Sequence, residues 1–264
     1  MRTIFKPNGH NKAKQSWQSS ASQPAALNGA DGEPLIRLRG LVKRYQSASG
    51  AFDALKDIDL DVYPGEFLGI IGKSGAGKTT LINMLTGIDH VTSGEVWMDG
   101  VPVQRLDENR LATWRGKEVG IIYQSFYLMP TLNLVQNVVL PMDVCGMYRP
   151  GQSEQRALEL LRMVELEGHA YKLPSAISGG QQQRVAIARA LANDPAIIVA
   201  DEPTGRLDSA TAETIFQIFT QLVAQGKTIL MVTHDNSLAQ RMSRTLLLVD
   251  GAIQPEEDVS FSQN

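Results

Sequence analysis

Apolar and polar positions alternate at two places early in the chain, Leu35-Ile36-Arg37-Leu38-Arg39 and Ile58-Asp59-Leu60-Asp61-Val62. A period of two puts the apolar side chains on one face, so each stretch predicts a half-buried antiparallel strand. Other runs are apolar without alternation: Phe67-Leu68-Gly69-Ile70-Ile71, Val119-Gly120-Ile121-Ile122, Ile197-Ile198-Val199-Ala200 and Thr228-Ile229-Leu230-Met231-Val232. Short runs of this kind predict strands covered on both faces. Helical stretches are read at 79–86, 154–165, 181–192, 210–224 and 237–242. Buried strands alternating with helices predict an α/β domain on a mainly parallel core sheet, joined here by an antiparallel β subdomain. Residues 131–191 hold no convincing strand and are read as a helical subdomain inserted into that domain.

The two ends break the pattern. Residues 1–30 contain four basic residues (Arg2, Lys6, Lys12, Lys14) and no acidic one, among Ser, Gln, Asn and Ala. So little apolar area cannot offset the entropy of ordering the chain. Residues 1–33 are therefore read as a disordered polar and basic tail, with contact to anionic lipid headgroups as the alternative. The folded domain is expected over 34–254, followed by a short tail over 255–264.

The loop Gly72-Lys73-Ser74-Gly75-Ala76-Gly77-Lys78-Thr79 fits G-x-x-x-x-G-K-[ST], with a buried strand before it and a helix after it. Glycines let the backbone curl until successive N–H groups point at a phosphate, and the helix adds its partially positive end. Lys78 then meets the β- and γ-phosphate oxygens, and the Thr79 hydroxyl, next to Thr80, is placed to ligate Mg²⁺. A second site is Asp201-Glu202, at the end of the strand Ile197–Ala200. Ligands of open α/β sheets collect at the carboxyl ends of strands. Asp201 is thus placed to hold Mg²⁺, and Glu202 to polarise an attacking water. Read alone, the same two acids before Pro203 also suit a turn or a helix cap.

Ser178-Gly179-Gly180-Gln181-Gln182 opens a further helix and exposes glycine N–H groups there, a second anion-binding end. With this string the sequence resembles the nucleotide-binding subunits of ABC transporters, whose signature is LSGGQ; the similarity runs from about residue 35 to 253, with the motifs in the family's order. The resemblance implies an ATPase using ATP and Mg²⁺. It makes Tyr45 the aromatic residue stacked on adenine, Gln124 the residue linking metal and water to the helical subdomain, and His234 the switch histidine. It places Gly205-Arg206-Leu207-Asp208 at the D-loop. It further implies a head-to-tail homodimer in which Ser178, Gly179, Gly180 and Gln181 meet the other subunit's ATP, Ser178 and Gly180 at the γ-phosphate. Two departures stand out: Ile177 replaces the signature leucine, and Arg206 is unusual in the D-loop. For the single residues plainer readings stay open, a strand-edge tyrosine for Tyr45 and a structural cap for His234.

The same resemblance implies membrane permease subunits as partners, two copies or a heterodimer, with this chain on the cytoplasmic face of the inner membrane. The wording of 72–94, 123–137 and 201–208 is most like the lipoprotein-release, macrolide-export and cell-division branch. The alternatives are the ATPase of a binding-protein-dependent importer and a non-transport ABC ATPase. Against the latter, residues 80–177 are too few for a long coiled coil, and the chain has one such domain. Residues 126–132 either help form a groove for a permease helix or pack as core.

Composition narrows the picture further. Lys plus Arg is 25 and Asp plus Glu is 28, a net charge of −3, which argues against a nucleic-acid partner. Trp17, Trp97 and Trp114 form no stacking series. No run approaches the roughly 18 apolar residues of a membrane span. No apolar core marks a secretory leader, and Cys145 alone excludes an internal disulfide, so a reducing compartment is expected. His10, His90 and His169 lack ligand-like spacing and are read as surface residues.

Overall fold

The computed structural model describes residues 32–48 and 50–254, so the expected tails lie outside the described residues but for Gly32 and Glu33. The chain runs through β1 (Ile36–Ser47), β2 (Gly50–Val62), β3 (Phe67–Ile71), α1 (Lys78–Leu85), β4 (Ser93–Met98), β5 (Val101–Pro102), α2 (Glu108–Glu118) and β6 (Val119–Ile122). Three helices follow, α3 (Leu134–Val144), α4 (Gln152–Met163) and α5 (Gly179–Ala190). The chain then passes through β7 (Ile197–Asp201), α6 (Ser209–Ala224), β8 (Thr228–Thr233), α7 (Asn236–Ala239), β9 (Arg244–Val249) and β10 (Ala252–Ile253).

Two sheets result. One is antiparallel, in the order β2-β1-β4-β5, with Ile36 opposite Val62 on one side and Met98 on the other. The second has the order β10-β9-β3-β8-β7-β6 and is parallel except for the closing β9–β10 hairpin. Its central strands are covered on both faces. Phe67, Ile198, Ala200, Ile229 and Met231 join a core shared with α3, α4, α5 and α6. Their neighbours Leu68, Ile197, Val199, Leu230 and Val232 join a core shared with α1 and the antiparallel sheet. The period of two therefore sorts one continuous apolar run into two cores, which is why these strands show no polar face. Among the described residues no helix is long and apolar enough to cross a membrane.

The mainly parallel sheet with its antiparallel partner matches the expected architecture. Several elements escape the apolar pattern. In α2 only Leu111 and Trp114 are buried, too few to mark a helical face. In α3 the apolar residues crowd together and Pro141 sits inside the helix, so no period of 3.6 stands out. The helix expected over 237–242 closes after Ala239, because the chain must straighten into β9 beside β3.

Candidate active site

β3 ends at Ile71 and the chain curls through residues 72–77 into α1. Gly75 and Gly77 hold φ of +83° and +105°, a region other residues enter only with strain. A side-chain carbon at Gly77 would stand 2.6 Å from the Ala54 carbonyl oxygen, so glycine is required there for space as well. Asp107, Asn133, Ser178, Asp208 and Asp235 cap the starts of α2, α3, α5, α6 and α7. α1 has no such side chain at Gly77 and no acid in its first turn. Its leading N–H groups and helix dipole are left for an anionic ligand.

These elements border a cleft of about 1020 Å³. Of the residues singled out from the sequence, Tyr45, Lys73, Ser74, Gly75, Gly77, Lys78, Thr79, Thr80, Gln124, Asp201, Glu202 and His234 line it. Gly72 and Ala76 complete the loop behind them; a carbon on Gly72 would meet the Leu248 carbonyl oxygen at 2.5 Å.

Lys78 is 7% exposed and donates from Nζ to the carbonyls of Gly72 (2.8 Å) and Lys73 (3.1 Å). Glu202 gathers three groups. Its Oε1 lies 3.4 Å from Lys78 Nζ, while Oε2 lies 3.4 Å from Gln124 Nε2 and 3.2 Å from His234 Nδ1. The backbone of Glu202 has φ +45°, in the left-handed region, with its N–H held by the Val232 carbonyl at 3.0 Å. A strained backbone at such a residue is a frequent mark of a functional position. Thr79 Oγ1 donates to Asp201 Oδ2 at 3.1 Å. Burial pushes the Asp201 carboxyl above its ordinary value; Glu202 adds to this, while the Thr79 bond and Lys78 pull the other way. Thr79 and Asp201 thus present two hard oxygen donors side by side, and no further cluster of acids, His or Cys fit for a metal stands among the described residues. That donor set suits Mg²⁺, which keeps waters and takes the remaining oxygens from phosphate.

Tyr45, on β1, reaches the cleft with its hydroxyl donating to Asp89 Oδ2 at 2.8 Å. Lys43 Nζ bonds Asp89 Oδ1 at 2.8 Å and the His90 carbonyl at 2.6 Å, and lies 4.7 Å from the Tyr45 ring centre. Burial raises the Tyr45 phenol, and the bond to Asp89 raises it further. Burial also acts to raise Asp89, but Lys43, Tyr45 and the His90 N–H outweigh it and hold the carboxyl down. Phe52 lies beside Tyr45, with ring centres 5.7 Å apart. Phe52, Asp89 and Gly251 are contributions the sequence reading missed. Each is set by tertiary approach and carries no local motif.

Ser178, Gly179, Gly180, Gln181 and Asp208 do not line the cleft. Ser178 caps α5 in a reciprocal pair with Gln181 (Gln181 N–H to Ser178 Oγ 3.3 Å, Ser178 N–H to Gln181 Oε1 2.9 Å). Asp208 accepts from the Thr211 N–H (3.0 Å) and hydroxyl (2.7 Å), and these two bonds hold its carboxyl low. A side-chain carbon on Gly180 would stand 2.4 Å from Thr211 Cγ2, so the starts of α5 and α6 pack together away from the cleft. Within 126–132, Tyr127 is 67% and Met129 46% exposed, whereas Leu128 packs on the core.

A glycine-rich strand-to-helix loop with a buried lysine, facing two acids at the end of β7, two strands away in the parallel sheet, defines a P-loop nucleotide-binding ATPase. The family model described as ABC transporter matches residues 55–205. Among solved structures, the chain is similar to a dimeric post-hydrolysis state of the ATP-binding cassette MJ0796 bound to ADP and Pi. They share 42% identity over 83% of this chain and 97% of that one, with a TM-score of 0.77. A second dimeric structure of MJ0796, a bacterial ABC transporter cassette, is 43% identical over 83% and 97%, with a TM-score of 0.77. CbiO1 from Clostridium perfringens, part of the ABC transporter complex cbiONQ, is 25% identical over 85% and 88%, with a TM-score of 0.74. The chain belongs to the ABC transporter family, as one of its ATP-binding, ATP-hydrolysing cassettes.

Proposed function

We propose that this chain binds and hydrolyses ATP with Mg²⁺, pairs head to tail with a second copy around two nucleotides, and drives a separate membrane permease. The work assigned to it is export, lipoprotein release or force transmission across the membrane, from the cytoplasmic face of the inner membrane. The observation that carries the catalytic part is the Glu202 carboxylate, reached by Lys78, Gln124 and His234 above the phosphate loop. The dimer is supported by Ser178–Gln181 standing outside the cleft that holds the other motifs, and by the dimeric state of MJ0796.

In this reading the α- and β-phosphates sit on the N–H groups of residues 73–79, and Lys78 neutralises charge at the β- and γ-oxygens. Thr79 and Asp201 would hold Mg²⁺, which would supply positive charge against the charge on the phosphate oxygens. Glu202 accepts the proton of the attacking water, and His234 and Gln124 fix the carboxylate so that the water lies in line with the breaking bond. Tyr45 stacks on adenine. Ser178 and Gly180 reach the partner's γ-phosphate, and Asp208 lies at the dimer contact. The exposed Tyr127 and Met129 form part of the surface offered to the permease.

The test is to express tagged Glu202→Gln in the native host, add ATP and Mg²⁺, solubilise the membranes and identify what is retained. A permease with few spans and a large extracytoplasmic domain is expected. A permease accompanied by a solute-binding protein would replace export with import, and repeated absence of any membrane protein would overturn the transport role.

A further inference from the structure

Arg189 lies in the last turn of α5, and its guanidinium pairs with no carboxylate among the described residues. Its Nη2 donates to the Phe126 carbonyl at 2.8 Å and its Nη1 to the Tyr127 carbonyl at 2.5 Å. Burial pushes this guanidinium below its ordinary value, with the Tyr123 phenol opposing. A partly buried cation without an acid is tolerated where dipoles are aimed at it. Here the dipoles belong to the segment directly after Gln124. Within that segment Tyr127 holds φ +46°, an outlying conformation for so bulky a residue. Such a backbone persists where its surroundings hold it, and the planar fork of Arg189 supplies two of the holding contacts.

The same helix bonds the same segment once more. Gln183 is fully buried and donates from Nε2 to the Tyr123 carbonyl at 3.3 Å. Residues 123–127, which carry Gln124, are therefore bonded from the middle and last turns of α5.

We propose that Arg189 and Gln183 are positioning residues that make the Gln124 segment and α5 move as one piece. The inference rests on the reading above, in which Gln124 faces the chain's own nucleotide and Ser178 the partner's. A shift of Gln124 on nucleotide binding then travels through two carbonyls and a guanidinium to the far end of α5. Occupancy of one site is thereby passed to the other site by residues that touch neither nucleotide. The strength of that coupling is set by the bonds to the backbone, because a side chain of similar bulk without the fork leaves the two elements free to slip.

The experiment measures turnover against ATP concentration for the full chain, with the affinity of each variant for a fluorescent ATP analogue read separately. Arg189→Gln is expected to lower kcat by about ten-fold or more, while nucleotide affinity stays within about two-fold. The Hill coefficient for ATP is expected to fall to one. Arg189→Lys, which reaches one carbonyl, should recover part of both. If Arg189→Gln fails to bind nucleotide at all, Gln183→Leu carries the same expectations without removing a charge. Gln124→Ala runs beside them as the reference. Normal kcat and cooperativity in Arg189→Gln or Gln183→Leu, with Gln124→Ala impaired, would overturn the coupling alone. Normal turnover in Gln124→Ala would overturn the reading of the site and the coupling with it.

Discussion

The Lys78 ammonium lies 3.4 Å from Glu202 Oε1, so the cation assigned to the phosphate and the carboxylate assigned to the water are an ion pair. Both are well shielded, with exposures of 7% and 19%. On the proposed reading, a γ-phosphate bound by Lys78 draws it from Glu202 and leaves the carboxylate to Gln124 and His234. In that reading the group proposed to bind the phosphate sets free the group proposed to activate the water.

Glu202→Gln keeps the size of the side chain and removes the charge that pairs with Lys78. Nucleotide binding is expected to stay near normal or tighten, since the lysine no longer has a carboxylate to leave. Turnover is expected to fall on the order of 10²–10³-fold, the scale for losing one group that acts in the transition state. Steady-state phosphate release and equilibrium ATP binding, measured on the same preparation, check both halves. Turnover near that of the unaltered chain would remove Glu202 from its assigned role.

Tyr45 is pinned by Asp89, and Asp89 by Lys43, so the ring is oriented before any base meets it. A stacked base is worth roughly 1–3 kcal/mol by truncation to alanine. Tyr45→Ala is therefore expected to raise the KM for ATP about ten-fold at little cost to kcat. Tyr45→Phe keeps the ring but loses the bond to Asp89, and Asp89→Asn loosens the same bond; both should fall between. The kcat and KM values of the four proteins, fitted separately, decide it, and a loss confined to kcat counts against the stacking role.

Burial raises the Asp201 carboxyl, so the folded chain holds that proton more tightly than the unfolded chain does. The stability this brings is complete below the ordinary value of 3.8 and is lost as pH rises through the raised value. At neutral pH the ionised Asp201 is thus a burden on the ligand-free fold. Asp201→Asn is expected to raise the thermal midpoint of the nucleotide-free protein at pH 7 and to abolish Mg²⁺-dependent turnover. For the unaltered chain, Mg²⁺-dependent ATP binding should weaken on acidification before an ordinary carboxylate would titrate. Calorimetric melts of both proteins from pH 5 to 8 test the first claim; a lower midpoint for Asp201→Asn at pH 7 refutes it.

How much of this was legible in the sequence depends on how each contact is made. Residues 72–79 and 201–202 could be read directly, because phosphate and metal chemistry demands several groups contiguous in the chain, and the strand before each is a plain apolar run. The helical character of residues 181–190 was legible too, although the tie from Arg189 to the Phe126 and Tyr127 carbonyls was not. A bond to a backbone carbonyl asks nothing of the acceptor's side chain, so no residue type at 126 or 127 announces it. β9 stayed hidden because Arg244–Val249 follows a helix of four residues with no turn signal between them. Asp89 was invisible for a further reason: its meaning lies in Tyr45 and Lys43, which the β1 strand brings to it from 44 and 46 residues away.

Gly251 shows the same principle in the backbone itself. It turns the chain between β9 and β10 at φ +81°, and its N–H donates to the Ala76 carbonyl of the phosphate loop at 3.0 Å. Its own carbonyl accepts from the Lys56 N–H at 2.7 Å. A side-chain carbon there would stand 2.6 Å from the Ala54 carbonyl oxygen, and that neighbour is backbone, which cannot swing aside. Gly251→Ala thus meets a left-handed penalty of roughly 1–2 kcal/mol and a clash in addition. The thermal midpoint is expected to drop by several degrees, at roughly 2–4 °C per kcal/mol for a domain of this size. The turn can escape the clash by backing away from β2, and that draws its N–H off Ala76 and loosens the loop that cradles phosphate. ATP affinity measured well below the new midpoint should therefore fall several-fold, while Gly226→Ala, at φ +88° with open space around it, loses stability and keeps its affinity. Equal ATP affinity in the two variants would show that the turn behind the loop has no part in shaping it.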